Sequence, residues 1–189
     1  MMKAILCLVM LLLVGPAAAG QLEDAETALK QQDYVTALRL YRLAAEQGEV
    51  VAQFNLGNMY ANGQGVPKDD AQAVRWYRLA AEHGDTEAQT ILGAMYTFGK
   101  GVPKDDAQAV KWYRLAAERG DALAQTNLGA SYANGAGVPK DYVLAYMWAN
   151  LAAAGGIELA GKNRDVTAAR MTPDQIAEAQ RLSREWRPK

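Results

Sequence analysis

Few side chains in this sequence could do chemistry. The 189-residue chain has one histidine, His83, and one cysteine, Cys7. A zinc site needs several nitrogen or sulfur ligands, and a Cys–His nucleophile needs both partners in one mature protein. His83 stands just before Gly84, and Gln47 and Arg119 take its place in related segments. That describes an exposed last-turn position beside a helix C-terminus, not a general base. Asp69-Asp70 and Asp105-Asp106 are carboxylate pairs of the sort that hold metals, yet each precedes an apolar-periodic segment, where helix capping accounts for it. Gly99-Lys100-Gly101 imitates a phosphate loop but lacks the Gly-Lys-Ser/Thr ending. The residues assign no catalytic group, no metal and no cofactor.

The elements that would position any site are repeated. Asp33, Asp69, Asp105 and Asp141 are spaced 36 residues apart, as are Gly48, Gly84, Gly120 and Gly156. Between them Ala-Gln-x-x-Leu-Gly-x-x-Tyr recurs at Ala52, Ala88 and Ala124, and Trp-Tyr-Arg-Leu-Ala-Ala-Glu-x-Gly at Trp76 and Trp112. A relaxed copy of the second block starts at Leu40, and a degenerate one runs from Trp148 to Gly156. Gly-x-Gly-Val-Pro-Lys-Asp joins the units at Gly63, Gly99 and Gly135. Both blocks carry apolar residues at helical spacing, as in Ala88, Leu92 and Tyr96. The unit therefore reads helix, short turn, helix, longer glycine-proline loop. Asp69 with Gln72, and Asp105 with Gln108, predict capping boxes, and Gly48, Gly84 and Gly120 predict left-handed helix ends. Gly57, Gly93 and Gly129 fall mid-helix, which predicts close approach of a neighbouring helix.

Each helix pair buries only part of its apolar surface, so the pairs must stack. The pattern closes at the C-terminal end, where Arg164 and Asp165 replace Leu128 and Gly129. Thr172, Pro173 and Gln175 then predict a last helix ending near Trp186, and Leu22 to Gln31 an incomplete first one. The fold class is all-α, an array of antiparallel helix pairs over 20–156 with a helical cap over 157–189.

Charge excludes other classes. Lys plus Arg is 20 against 21 for Asp plus Glu, leaving no basic field to grip nucleic acid or anionic lipid. Residues 1–19 predict a secretory signal peptide, with Lys3, an apolar run from Ala4 to Val14, and Ala17-Ala18-Ala19 before the cut. The run is too short for a bilayer span, which takes about 20 residues. Cleavage after Ala19 removes Cys7 and leaves an exported, cysteine-free protein with no membrane span. Arg42/Glu46, Arg78/Glu82 and Arg114/Glu118 predict i,i+4 pairs on a solvated face, and Lys68, Lys104 and Lys140 a lysine edge. Trp76, Trp112 and Trp148 leave two readings open, an inter-helix core or a ladder on which sugars stack.

The repeated Ala-Gln-x-x-Leu-Gly-x-x-Tyr and Gly-x-Gly-Val-Pro-Lys-Asp blocks resemble the Sel-one-like repeat (SLR) family, relatives of tetratricopeptide repeats, over roughly Leu22 to Gly156. The resemblance implies a right-handed α-solenoid and a scaffold or adaptor role, in bacteria often at the envelope or in secreted factors. Some cysteine-rich members are linked to penicillin binding or β-lactam hydrolysis, but this chain lacks their disulfide pairs. By analogy with the tetratricopeptide fold, the helix carrying Leu-Gly-x-x-Tyr lines the concave face. The outward positions are then Val51, Phe54, Asn58, Ala61 and Asn62; Glu87, Thr90, Ala94, Thr97 and Phe98; Leu123, Thr126, Ala130, Ala133 and Asn134. They differ between units where the packing positions do not, and they include both phenylalanines of the chain. The expectation is a periplasmic or secreted, non-enzymatic scaffold that binds a protein or peptide in this groove. A cell-wall glycan binder using the tryptophans is the alternative, and a cell-wall or β-lactam hydrolase a third.

Overall fold

The computed structural model describes residues 16–189, with side chains from Gly20 onward; the expected signal peptide up to Gly15 lies outside the described residues. Ten helices follow: α1 Pro16–Lys30, α2 Tyr34–Glu46, α3 Val50–Asn62, α4 Asp70–Glu82, α5 Thr86–Phe98, α6 Asp106–Glu118, α7 Ala122–Asn134, α8 Tyr142–Ala154, α9 Glu158–Ala168 and α10 Pro173–Glu185. No strand occurs among the described residues. Within the described residues the first helix already includes Pro16, so it covers more than the expected Leu22 to Gln31 segment at that end. Through α9, each helix packs on its sequence neighbours, giving a solenoid in which odd-numbered A helices alternate with even-numbered B helices.

The helix ends follow the sequence with one correction. Gly48, Gly84, Gly120 and Gly156 all take φ near +92 to +94°, ending the B helices. Asp69 accepts hydrogen bonds from the Ala71 and Gln72 N–H groups, and Asp105 from that of Gln108. The return half of the expected capping boxes is not made. The N–H of Asp69 donates to the Tyr60 carbonyl at 2.9 Å, and that of Asp105 to Tyr96 at 3.0 Å, so neither needs the glutamine. Among the described residues the full box forms only in α10, between Thr172 and Gln175.

The mid-helix glycines do mark close approach. A Cβ on Gly57 would stand 2.8 Å from the Tyr77 ring, and one on Gly93 2.6 Å from that of Tyr113. Alanines finish the seam, with Ala44, Ala80, Ala88, Ala116 and Ala124 fully buried around Tyr41, Leu56, Leu92 and Leu128. Small residues let the helices approach; the tyrosine rings then fill what the glycines leave open.

Three contacts repeat from unit to unit. Gln53, Gln89 and Gln125 are buried and donate to the carbonyls of Ala45, Ala81 and Ala117, tying each A helix to the preceding B helix. Arg42, Arg78 and Arg114 donate to the Tyr60, Tyr96 and Tyr132 hydroxyls at 2.7–2.9 Å. No ion pair forms between these arginines and Glu46, Glu82 or Glu118: an i,i+4 pair on a solvated face is worth only tenths of a kcal/mol, and the tyrosine latch is better placed. The loop glycines Gly65, Gly101 and Gly137 lie directly on the backbone of Tyr34, Asp70 and Asp106 at the start of the preceding B helix.

The C-terminal cap is built differently. Helix α10 leaves α9 and lies along α8, where Met147 stands in place of Arg75 and Lys111. Trp186 meets Trp148 edge-on, with ring centroids 6.1 Å apart. Beyond it the Lys189 ammonium pairs with Glu118 at 2.7 Å, and the Lys189 N–H donates to the Glu118 carbonyl. Arg164 bonds Asp165 and reaches Asn150, a polar closure at the position where earlier units pack leucine.

Candidate functional site

The A helices place the fifteen expected groove positions in columns with different fates. Val51, Glu87 and Leu123 are exposed at one edge, and Asn62, Phe98 and Asn134 at the other. Phe98 is 80% exposed. The middle of the face is not free. Thr90 and Thr126 are only 8% and 7% exposed, and Thr90 donates to Asp121, the N-cap of the next A helix, at 3.1 Å. That column faces the neighbouring unit, so its variation adjusts packing rather than reach. Phe54 is half-buried against Tyr77, centroids 5.9 Å apart. The groove therefore has Phe98 as its exposed phenylalanine, and Phe54, expected beside it, belongs mainly to the core.

Polar atoms on this face are supplied by groups the sequence assigned to packing. The Tyr77 hydroxyl donates to Asn58 at 2.7 Å, and the Tyr113 hydroxyl lies 3.1 Å from that of Thr97. Burial pushes the Tyr77 phenol up to about 12, with Asp70 and Glu87 adding to it. Burial also raises that of Tyr113, against the Thr97 hydrogen bond. Both stay neutral and serve as hydrogen-bonding groups, not acids. Between α5 and α7, Thr97 and Tyr113 line a cleft with Ala94, Asn127, Ser131 and Asn134, and Phe98 stands at its rim. A second, smaller cavity of about 160 Å³ opens between α7, α8 and α9, sharing Ala130 and Asn134 with the first. Tyr142, Asn163 and Arg170 line it. The Arg170 guanidinium, with Lys140 beyond it, holds the Tyr142 phenol below its ordinary value. Sequence reasoning passed over Tyr142 and Arg170; their departure from the repeat, where Asp70 and Asp106, then Phe98 and Asn134, hold the same registers, was the available signal.

The tryptophans do not offer a sugar platform. Trp112 and Trp148 are each 7% exposed, and Trp76 packs half-buried against the first core cluster. At helical spacing beside alanine they fill the seam between units, which leaves little ring face to stack on a pyranose. His83 is exposed at its helix end, its Nδ1 2.8 Å from the Leu79 carbonyl. No cluster of metal-binding side chains exists among the described residues. No helix among them is long and apolar enough to cross a membrane.

Stacked helix pairs of one sequence-fixed length, with a lined face and a helical lid, define an α-solenoid repeat protein. The Sel1 repeat model matches residues 25–49, 50–85, 86–121 and 122–157, and the chain belongs to the Sel1 repeat family. A Sel1 repeat protein from Oxalobacter formigenes is 38% identical and superposes with a TM-score of 0.72, over 77% of this chain and 43% of that one. The protective antigen c5321 of uropathogenic Escherichia coli, which displays an SLR fold, is 32% identical with a TM-score of 0.53, over 89% and 45%. The chain thus spans less than half the length of either relative. No curated protein matches it. Proteins of this family are generally non-catalytic helical scaffolds for protein interaction.

Proposed function

We propose that the chain is an exported scaffold, periplasmic or secreted, that binds an extended segment of a partner protein along the face of α5 and α7. The observation that carries the reading is Phe98, a large aromatic left in solvent beside a cleft lined by hydroxyl and amide groups. Nothing in the unit's packing requires it, since Asn62 and Asn134 serve at the same register. An exposed aromatic at the edge of a preformed cleft can anchor a peptide without the scaffold ordering first. The cleft offers the hydroxyls of Thr97, Tyr113 and Ser131 and the amides of Asn127 and Asn134, which suit main-chain groups of such a segment.

The test has two arms. Peptides selected on residues 20–189 should lose at least ten-fold in affinity on Phe98→Ala while the thermal melt stays unchanged. Unaltered binding overturns the groove reading. Residues 1–24 fused to a periplasm-dependent reporter enzyme should give active, N-terminally trimmed reporter; a cytoplasmic, uncut product overturns export.

A further inference from the structure

The fourth unit departs from the repeat at three neighbouring places, and all three face the cavity between α7, α8 and α9. Tyr41, Tyr77 and Tyr113 share one register position, and the fourth unit has Ala149 there. In the second and third units the tyrosine ring lies on the mid-helix glycine. In the fourth, Gly129 lines an open cavity together with Ala145 and Ala149. The second change replaces the Asp70 and Asp106 of the two middle units by Tyr142, where the first unit also has a tyrosine, Tyr34. Those aspartates pair with lysines, Asp70 with Lys100 and Asp106 with Lys104, each at 3.5 Å. Lys140, the counterpart of Lys104, instead stands 5.9 Å over the Tyr142 ring. The third is Arg170, at the register of Phe98 and Asn134, beside Tyr142 and Asn163. Among the described residues no ion pair engages Arg170 or Lys140.

Size and charge together select the occupant. The cavity measures about 160 Å³, below the roughly 300–1,000 Å³ of small-molecule sites, which suits one side chain rather than a cofactor. Its alanine floor accepts an aliphatic group. Its rim carries a guanidinium with no carboxylate, flanked by a phenol and an amide able to donate hydrogen bonds. The cleft beside Phe98 adjoins it at Ala130 and Asn134, and α9 with Arg170 bounds the far side. A chain laid along the groove from Phe98 reaches a walled, cationic end.

We propose that this cavity seats the C-terminal residue of the bound peptide, an aliphatic side chain against Ala145 and Ala149 and its α-carboxylate on Arg170. The inference rests on the groove reading above and adds the direction and the end of the ligand. Two probes test it, N-acetyl-Ala-Ala-Leu as the free acid and as the carboxamide, titrated into labelled protein and followed by amide shifts in nuclear magnetic resonance spectra. The acid should shift Gly129, Ala149 and the Arg170 side chain saturably, and the carboxamide should bind at least ten-fold more weakly. Arg170→Gln should cost the acid the same factor and leave the melt unchanged. Ala149→Tyr, which restores the residue of the other units, should block the cavity. Equal binding of acid and carboxamide, an Arg170→Gln effect under two-fold, or no shifts at about 10 mM acid would each overturn the proposal. Shifts confined to Thr97 and Phe98 would overturn it while leaving the groove reading intact.

Discussion

Two glycines in one loop separate backbone strain from contact between units. Gly99 and Gly101 both adopt left-handed backbone, φ +66° and +71°. A Cβ on Gly99 would meet only its own loop, with the Lys104 nitrogen nearest at 3.3 Å. A Cβ on Gly101 would stand within 3.0 Å of three backbone atoms of the preceding unit, the Asp70 carbonyl carbon and oxygen and the Ala71 nitrogen. Backbone at the first turn of a packed helix cannot rotate aside as a side chain can. Left-handed φ costs an alanine about 1–2 kcal/mol, less about 0.4–1 kcal/mol gained by restricting the unfolded chain. Gly99→Ala should therefore lose about 1 kcal/mol. Gly101→Ala adds an overpacking cost of about 1–3 kcal/mol, for a total of about 2–4 kcal/mol. Urea unfolding followed by far-ultraviolet circular dichroism measures both. Gly101→Ala should also broaden the transition, because it loosens one unit from the next and cooperativity in an array depends on that coupling. Equal losses within about 0.5 kcal/mol would refute the claim that the loop is seated on the preceding helix.

Three further outcomes follow from the packing. Tyr41 and Tyr77 are both raised to about 12 by burial, so their stabilising contribution, complete below about pH 10, is lost as pH rises from there through about 12, the unfolded chain ionising first. Urea midpoints should fall across that interval, less steeply in Tyr77→Phe, and phenol absorbance should show a late-titrating class. Gln89→Met keeps the volume but removes the 2.9 Å bond to the Ala81 carbonyl, and should cost about 1 kcal/mol in urea with groove binding intact. Trp186→Ala removes the half-buried ring against Trp148 and should cost about 1.5–3 kcal/mol, read as faster amide exchange through α10 and a changed tryptophan emission.

The repeat made the fold legible because contacts at fixed sequence distance leave fixed spacings. Gly93 and Tyr113 were both visible as constants; that one covers the other requires the angle between α5 and α6, which no spacing encodes. The glutamine of Ala-Gln was visible too, but its bond to the preceding helix end depends on burial and so stayed hidden. The arginine pairing was misjudged because Glu82 lies four residues from Arg78 in sequence, while the Tyr96 hydroxyl that wins lies on the next helix. On the groove, the register argument located the edges, Val51 and Leu123 on one side and Phe98 on the other. It failed at Thr90 because a helical wheel assigns a direction without knowing that Asp121 of the next unit stands there. The fourth unit's cavity was overlooked for a related reason: Ala149 reads as decay of the pattern until the ring it replaces is seen to occupy volume.

The way each loop sits on the unit before it, and α10 on α8, bears on how such a chain can change length. Any internal block bounded by equivalent loop glycines, from Gly65 to Gly101 or from Gly101 to Gly137, presents the same docking surface at both ends. Duplication or loss of such a block leaves every junction chemically familiar. The last pair has no such freedom, since its apolar outer helix must keep its lid. Growth and shrinkage are therefore internal events, and evolution or design can reset the groove's reach while its cationic terminus travels along unchanged.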